Sequence, residues 1–225
     1  MNFLNVKMIN IHKEGYLIIL LFVVLDLIFF SFSNKLGWIG IIGVVWCVYF
    51  FRDPNRFTPP GDNIIVSPAD GIIQMITTAV PPKELNMPEV QMNRISIFLN
   101  IFDVHVNRIP LSGKVNGSHY RPGKFFNASL DKASIDNERQ SIWIKDKYDQ
   151  DFAVVQIAGL IARRIVCDLS IGSDVNTGDR FGIIRFGSRV DLYLPLNIKP
   201  KVITGQRMIG GETIIAENIN INNLK

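Results

Sequence analysis

A glycine followed directly by a serine, Gly187 and Ser188, stands between two apolar, β-prone stretches at residues 181–184 and 190–194. Glycine has no Cβ and tolerates the distorted backbone that lets the next hydroxyl attack the preceding peptide carbonyl. The product of that attack is an ester, which can be eliminated to leave a new reactive carbonyl. The alternative interpretation is a glycine bulge within a strand. The dipeptide alone leaves both interpretations open, so its surroundings must decide between them.

The other residues that commonly do chemistry are few and scattered. The three histidines are His12, His105 and His119, and the two cysteines are Cys47 and Cys167. Neither cysteine has metal-ligand spacing around it, and the pair does not suggest a disulfide. We therefore predict no metal site, and a reducing compartment for the soluble part of the chain.

Two apolar runs near the N-terminus, residues 16–33 and 36–51, predict a helical hairpin. A spanning helix needs roughly 20 apolar residues and at least about 17, so the first run is long enough and the second is marginal. Basic residues lie outside both ends, namely Lys7, Lys13, Arg52 and Arg56. This pattern predicts that residues 1–51 anchor the chain at the cytoplasmic face of the cell membrane. An interfacial hairpin that never crosses the bilayer is the alternative.

The charge balance excludes one class of partner. The chain has 24 Lys and Arg against 20 Asp and Glu; three of the basic and two of the acidic residues precede residue 52, which leaves 21 against 18. This mild excess contains no dense basic run, so no nucleic-acid partner is predicted. Weak attraction to an anionic lipid surface is compatible with it.

Residues 52–225 predict one mainly β (α+β) domain, a compact β structure with glycine-turn hairpins. Short runs rich in β-branched and aromatic residues alternate with turn signals, which favours strands over helices. Glycines recur at hairpin intervals within residues 176–184 and 202–216. Residues 82–91 and 131–139 could each hold a short helix. The predicted strands lie at residues 64–66, 72–76, 94–102, 141–144, 152–158 and 164–166.

Four segments of this domain together resemble the phosphatidylserine decarboxylases, in particular their short form. The match runs in order over most of the soluble part, and the hydrophobic hairpin fits as well. Any one segment would be weak, whereas four in the expected order and spacing are specific. The segments are SPADG at residues 67–71, IFDVHVNRIP at 101–110, NER at 137–139 and RFGSRVDLYLP at 185–195.

The resemblance implies a proenzyme that cuts itself between Gly187 and Ser188. Residues 1–187 would become a β subunit, residues 188–225 an α subunit, and Ser188 the N-terminal pyruvoyl cofactor. The ketone of that cofactor would condense with the amino group of phosphatidylserine in the membrane. Loss of carbon dioxide would then give phosphatidylethanolamine. The oligomeric state stays open, with a homo-oligomer as one option.

The same resemblance implies roles for two further residues. His105 would be the base that takes the Ser188 hydroxyl proton, and Asp70 would orient it or stabilise its charge. Longer members of the family carry a second histidine three residues after the first, where this chain has Arg108. Cleavage and decarboxylation therefore either share His105 or divide between His105 and His119.

Guanidinium groups suit bidentate contact with phosphate or carboxylate, which makes Arg108, Arg121 and Arg139 candidates for binding the substrate. Surface or structural ion pairs are the alternative for each of them. Two rival functions also stay open: a non-enzymatic β domain tethered to a membrane, and a pyruvoyl enzyme acting on a soluble amino acid. The hydrophobic hairpin argues against a water-soluble substrate.

Overall fold

The computed structural model describes residues 10–124, 136–159, 164–185 and 187–218. The chain divides into two units, Met1–Asn55 and Arg56–Lys225. The first is helical, and the second has thirteen strands joined by turns and loops among its described residues. The predicted mainly β fold with an N-terminal helical hairpin is therefore confirmed.

The first unit is a hairpin of two apolar helices, α1 (Tyr16–Phe32) and α2 (Asn34–Phe50). Ser33 alone separates them: it has extended backbone angles, and its Oγ accepts a hydrogen bond from the Lys35 N–H at 3.3 Å. A serine in this position caps the second helix and breaks the first. Together with the 3₁₀ turn before it, α1 forms the stretch Lys13–Phe32, with mean hydropathy 2.6 and the length to cross a membrane.

Small residues on α2 let the two helices approach closely. A Cβ at Gly37 would lie 2.3 Å from the Phe30 ring, and one at Gly40 would lie 2.0 Å from Asp26 Oδ1. These glycines stand three residues apart, on one side of α2. Asp26, the acidic residue within the first apolar run, thus faces its hairpin partner.

The second unit contains three antiparallel sheets among its described residues. The largest has the strand order β12-β2-β3-β11-β7-β6-β5-β9, and two smaller sheets have the orders β4-β10-β8 and β1-β13. The strands are β1 (Ile64–Val66), β2 (Gly71–Ala79), β3 (Met92–Leu99), β4 (Val106–Arg108), β5 (Gly113–Arg121), β6 (Arg139–Lys145), β7 (Asp151–Ala158), β8 (Ile165–Cys167), β9 (Asp174–Val175), β10 (Arg180–Ile184), β11 (Ser188–Pro195), β12 (Arg207–Met208) and β13 (Ile214–Glu217).

The main core lies on one face of the large sheet, and the small sheets contribute residues to it. Alternate residues of β11, Val190, Leu192 and Leu194, point into this core, as Phe181 of β10 and Ile65 of β1 do. The intervening position Tyr193 belongs to a smaller cluster on the opposite face. Because side chains alternate along a strand, Ser188 faces the main core and Arg189 the opposite face.

The short helices predicted from sequence do not develop into full helices where the structure describes them. Residues 82–91 contain one 3₁₀ turn, Lys83–Leu85, which ends at Asn86 in the left-handed conformation with φ 53°. Residues 131–135 lie outside the described part of the chain, and Arg139 begins β6.

Candidate active site

Ser188 is the first residue of a strand that has neighbours on both sides. It lies opposite Leu99 of β3 and Ala158 of β7. The residue is fully buried, and its Oγ has no hydrogen-bond partner among the described residues. Buried hydroxyls are normally paired, because an unpaired one costs about 1–3 kcal/mol. The first residue of β11 therefore carries a buried hydroxyl that no described residue binds.

Gly187 supplies the bend that begins this strand. Its φ is +66°, in the left-handed region that favours glycine, and a Cβ built there would meet nothing within 4 Å. Backbone conformation, not space, is therefore the reason for glycine at this position. Its N–H donates a hydrogen bond to His105 Nε2 at 3.3 Å. The histidine thus reaches the residue whose carbonyl would be attacked.

The His105 ring is fully buried and held at both nitrogens. Nδ1 lies 3.0 Å from the Asp103 backbone oxygen, which can only accept a hydrogen bond. The proton therefore resides on Nδ1, and the Nε2 lone pair is directed at the Gly187 backbone. This is the tautomer that a base acting at Ser188 would need, although Ser188 Oγ is not yet bonded to it.

His119, the alternative base, lies elsewhere on the sheet. It is an exposed residue of β5 paired with Ser141 of β6. Ser141 aligns with Val155, which in turn aligns with Asp191 of β11. Three strand spacings, about 14 Å, therefore separate His119 from β11.

Asp70 is bound by partners that the sequence did not predict. Arg56 donates to both of its carboxylate oxygens at 2.9 and 2.7 Å, and the Gly210 N–H donates to Oδ1 at 2.8 Å. Burial raises the pKa of the Asp70 carboxyl, although Arg56 and the Gly210 N–H oppose that rise, and the nearby charge of Asp103 adds to it. Among the described residues no hydrogen bond joins Asp70 to His105.

Asp103 is the acidic residue closest in sequence to His105, and the sequence reasoning missed it. Its carboxylate is 1% exposed and pairs with the guanidinium of Arg207. The motif containing His105 offered a signal, because Asp103 precedes the histidine by two residues. Arg207 lies 104 residues away from Asp103, and nothing local could have indicated the pairing.

The three arginines predicted to bind substrate lie in different places. Arg108 lies beside an open polar cleft of about 470 Å³ and donates to the Gly178 carbonyl at 2.9 Å. Arg139 aligns with Ile157, on the sheet face opposite Ser188, and Arg121 is exposed. Residues lining the cleft include Arg56, Thr58, Arg108, Thr177, Asp179 and Arg180.

Arg139 is held in a buried ion pair with Glu84. Its Nε and Nη2 donate to the two carboxylate oxygens at 2.6 and 2.7 Å. Burial works to raise the pKa of Glu84, but the hydrogen bonds and charge of Arg139 hold it below its usual value. This clamp ties the 3₁₀ turn to β6.

The residues around Ser188 fit a carbonyl group made from that residue itself. The buried hydroxyl has no hydrogen-bond partner among the described residues, the preceding glycine has the left-handed backbone, and His105 Nε2 accepts a hydrogen bond from the N–H of that glycine. A group formed in place needs no entry path and no separate binding loop.

The sequence is similar to one family over most of its length. A family model described as phosphatidylserine decarboxylase matches residues 45–216. Proteins named phosphatidylserine decarboxylase proenzyme from Rickettsia akari and Rickettsia felis are each 61% identical over 207 residues, covering 92% of this chain and 90% of the relative. The protein of that name from Rickettsia bellii is 59% identical over the same extent.

Proposed function

Because the chain belongs to the phosphatidylserine decarboxylase family and is an enzyme that decarboxylates phosphatidylserine, we propose that it works through a pyruvoyl group made from its own Ser188. The single observation that carries this proposal is the contact between His105 Nε2 and Gly187 beside the buried, unpaired Ser188 hydroxyl. Cleavage between Gly187 and Ser188 would give the two subunits, residues 1–187 and 188–225.

Self-cleavage begins with a proton transfer. His105 Nε2 takes the proton of Ser188 Oγ, and Oγ bonds to the Gly187 carbonyl carbon. The bond from that carbon to the Ser188 nitrogen breaks, the nitrogen receives the proton from Nε2, and an ester remains. The Gly187 N–H contact is 3.3 Å long, at the weak end for hydrogen bonds, so the hydroxyl can displace it.

Elimination completes the group. Loss of the Ser188 α-proton and cleavage of its Cβ–Oγ bond release Gly187 as a carboxylate and leave dehydroalanine. Water then replaces the nitrogen, which departs as ammonia. When formed, the pyruvoyl group supplies the electron sink that decarboxylation needs. Protonated His105 Nε2 returns a proton to the product carbon.

Asp70 contributes charge to this site without a direct bond to the histidine. Its carboxylate is held by Arg56 and Gly210, and it lies near enough to Asp103 for their charges to interact. A negative charge near the ring would stabilise the imidazolium that forms when His105 takes the serine proton, although Arg56 offsets part of the Asp70 charge.

Arg108 is the better candidate for the headgroup phosphate. It lies three residues after His105, beside a cleft that also contains Arg56 and Arg180, and guanidinium groups suit phosphate oxygens. Arg139 lies on the other sheet face and is already paired with Glu84, so we assign it a structural role.

Residues 1–51 would anchor the enzyme at the cytoplasmic face of the membrane that contains its substrate, while residues 52–225 form the catalytic domain. The stretch Lys13–Phe32 supports the anchor, because its length and composition suit a bilayer span. Release of the chain from membranes by an alkaline wash would contradict this assignment.

Replacing the nucleophile tests the proposal directly. Wild type should give two pieces that break before Ser188 on intact mass spectrometry, the smaller carrying the pyruvoyl cap. Ser188→Ala should remain one chain of 25.4 kDa and release no carbon dioxide. The wild type should act on phosphatidylserine in vesicles and leave free serine untouched. A Ser188→Ala protein that still splits and decarboxylates would overturn the pyruvoyl mechanism.

A further inference from the structure

Residues 207–210, which belong to the proposed α subunit, bind both carboxylates near His105. The Arg207 guanidinium pairs with Asp103, and the Gly210 N–H donates to Asp70 Oδ1 at 2.8 Å. Both aspartates belong to the proposed β subunit. A segment on the far side of the cut therefore contributes to the surroundings of the histidine.

The Asp103 carboxylate closes a tight turn at residues 100–103. Its second oxygen accepts from the Asn100 N–H at 2.9 Å, while the Asp103 N–H donates to the Asn100 carbonyl at 2.9 Å. The Asn100 side chain accepts from the Phe102 N–H at 2.8 Å. Side chains that bond to nearby backbone groups in this way fix the direction of a turn.

The turn determines where the Asp103 carbonyl points, and that carbonyl fixes the histidine. Its oxygen lies 3.0 Å from His105 Nδ1, so the ring proton stays on Nδ1. The opposite tautomer would present an N–H to Ser188 and could not take its proton. A continuous series of contacts thus runs from Arg207 through Asp103 and His105 to the Gly187 N–H.

We propose that Arg207 and Asp103 are positioning residues for self-cleavage, and that their ion pair holds His105 in the tautomer with Nε2 unprotonated. The role of His105 as base rests on the proposed function above, whereas its tautomer does not. The Arg207 side chain is 62% exposed and its partner 1% exposed. The arginine therefore adds little to the core, and its main described effect is to neutralise a buried carboxylate.

Two measurements on Arg207 variants test the proposal. Arg207→Ala should slow self-cleavage by about 10-fold or more, part of the 10²–10⁴-fold that a positioned base supplies. Arg207→Lys should regain most of the rate, because it restores the charge. Cleavage is followed on denaturing gels after a pulse of synthesis, with Lys147→Ala as the matched control. Lys147 forms an exposed ion pair with Asp62 just beyond the end of β6 that lies away from Ser188.

The tautomer is read separately, in chains that cannot cut themselves. In Ser188→Ala protein labelled with ¹⁵N-histidine, the His105 signal should report an unprotonated Nε2. Adding Arg207→Ala or Asp103→Asn should give a mixture of tautomers, and the two changes together should be no worse than either alone. An unchanged tautomer, or wild-type cleavage by Arg207→Ala, would overturn the proposal. Because the spectrum needs no cleavage, its outcome stays separate from that of the Ser188→Ala test.

Discussion

At the scale of single residues, the site combines groups that proteins usually avoid. Ser188 has a buried hydroxyl that no residue in the described part of the chain binds, and Gly187 adopts a left-handed backbone directly before it. The unpaired hydroxyl costs stability, whereas glycine adopts the left-handed backbone without strain. This cost to stability is consistent with the proposed cleavage of the Gly187–Ser188 peptide bond, because cleavage and elimination would remove the unpaired hydroxyl.

The two candidate histidines give a matched pair for testing which one is the base. His105→Ala should slow self-cleavage by about 10²-fold or more, because it removes the positioned base. His119→Ala should cleave at the wild-type rate, since His119 is exposed and about 14 Å from β11. Pulse-labelled chains resolved on denaturing gels give both rates. The reverse pattern would transfer the role to His119.

At the scale of elements, the local sequence predicted where strands lie but not which strands pair with each other. The run at residues 64–66 is β1, and the runs at 152–158 and 190–194 lie within β7 and β11. Their β-branched residues suffice because alternation and turn signals are local properties. The order β3-β11-β7 depends on contacts between distant segments, so no local pattern contains it.

The same distinction explains which site residues were predictable. Gly187, Ser188 and His105 lie within motifs, and the structure brings them together. Arg56 and Arg207 lie outside those motifs. Each forms an ion pair with an aspartate from another segment, so the sequence near either arginine does not indicate the pairing. Charged side chains on different elements acquire partners only after the sheets assemble.

Arg108 and Arg139 provide an element-scale prediction, since Arg108 lines the polar cleft whereas Arg139 lies on the face of the large sheet opposite Ser188. Arg108→Gln should raise KM for phosphatidylserine by about 10-fold or more, as losing one charged hydrogen bond costs about 1.5–3 kcal/mol. Arg139→Gln should leave KM unchanged and lower the melting temperature, because it leaves the partly buried Glu84 carboxylate with the Ser141 hydroxyl but without its arginine, a change worth about 1–3 kcal/mol. Vesicle assays and thermal unfolding check each. An effect of Arg139→Gln on KM alone would contradict the assignment.

The Glu84 pair also has a pH dependence of defined sign. The pKa of Glu84 is lower in the folded state than in the unfolded state. The ion pair therefore contributes its full stabilisation at a pH above the unfolded-state pKa, and this stabilisation is lost as the pH falls through the folded-state pKa. Wild type should therefore lose more stability on acidification than Arg139→Gln, in which that contribution is already absent.

At the scale of the whole molecule, all the described site residues belong to the unit Arg56–Lys225. That unit would be assembled from both products of the cut, because β11, β12 and β13 follow Gly187. Strand β11 pairs along its length with β3, and over six residues with β7. The proposed smaller subunit would therefore be held by backbone hydrogen bonds on both edges of an interior strand.

This arrangement predicts different refolding behaviour before and after the cut. Uncut Ser188→Ala should recover its structure from denaturant at a rate independent of protein concentration, since all its strands are on one chain. Wild type should recover slowly, and to an extent that rises with concentration, because its two pieces must meet again. Circular dichroism during dilution from denaturant, in detergent, measures both. Equal recovery at all concentrations would contradict the interior position of the small subunit.

With β11 in the interior of the sheet, the proposed cut would make unfolding of the protein hard to reverse. Before the cut, folding is an equilibrium within one molecule; afterwards, the native arrangement persists because leaving it is slow. The working lifetime of the mature enzyme is then set by an unfolding rate and no longer by a free energy of unfolding. A cell would then renew this enzyme mainly by synthesising new chains, because separated pieces would meet again only slowly at low concentration.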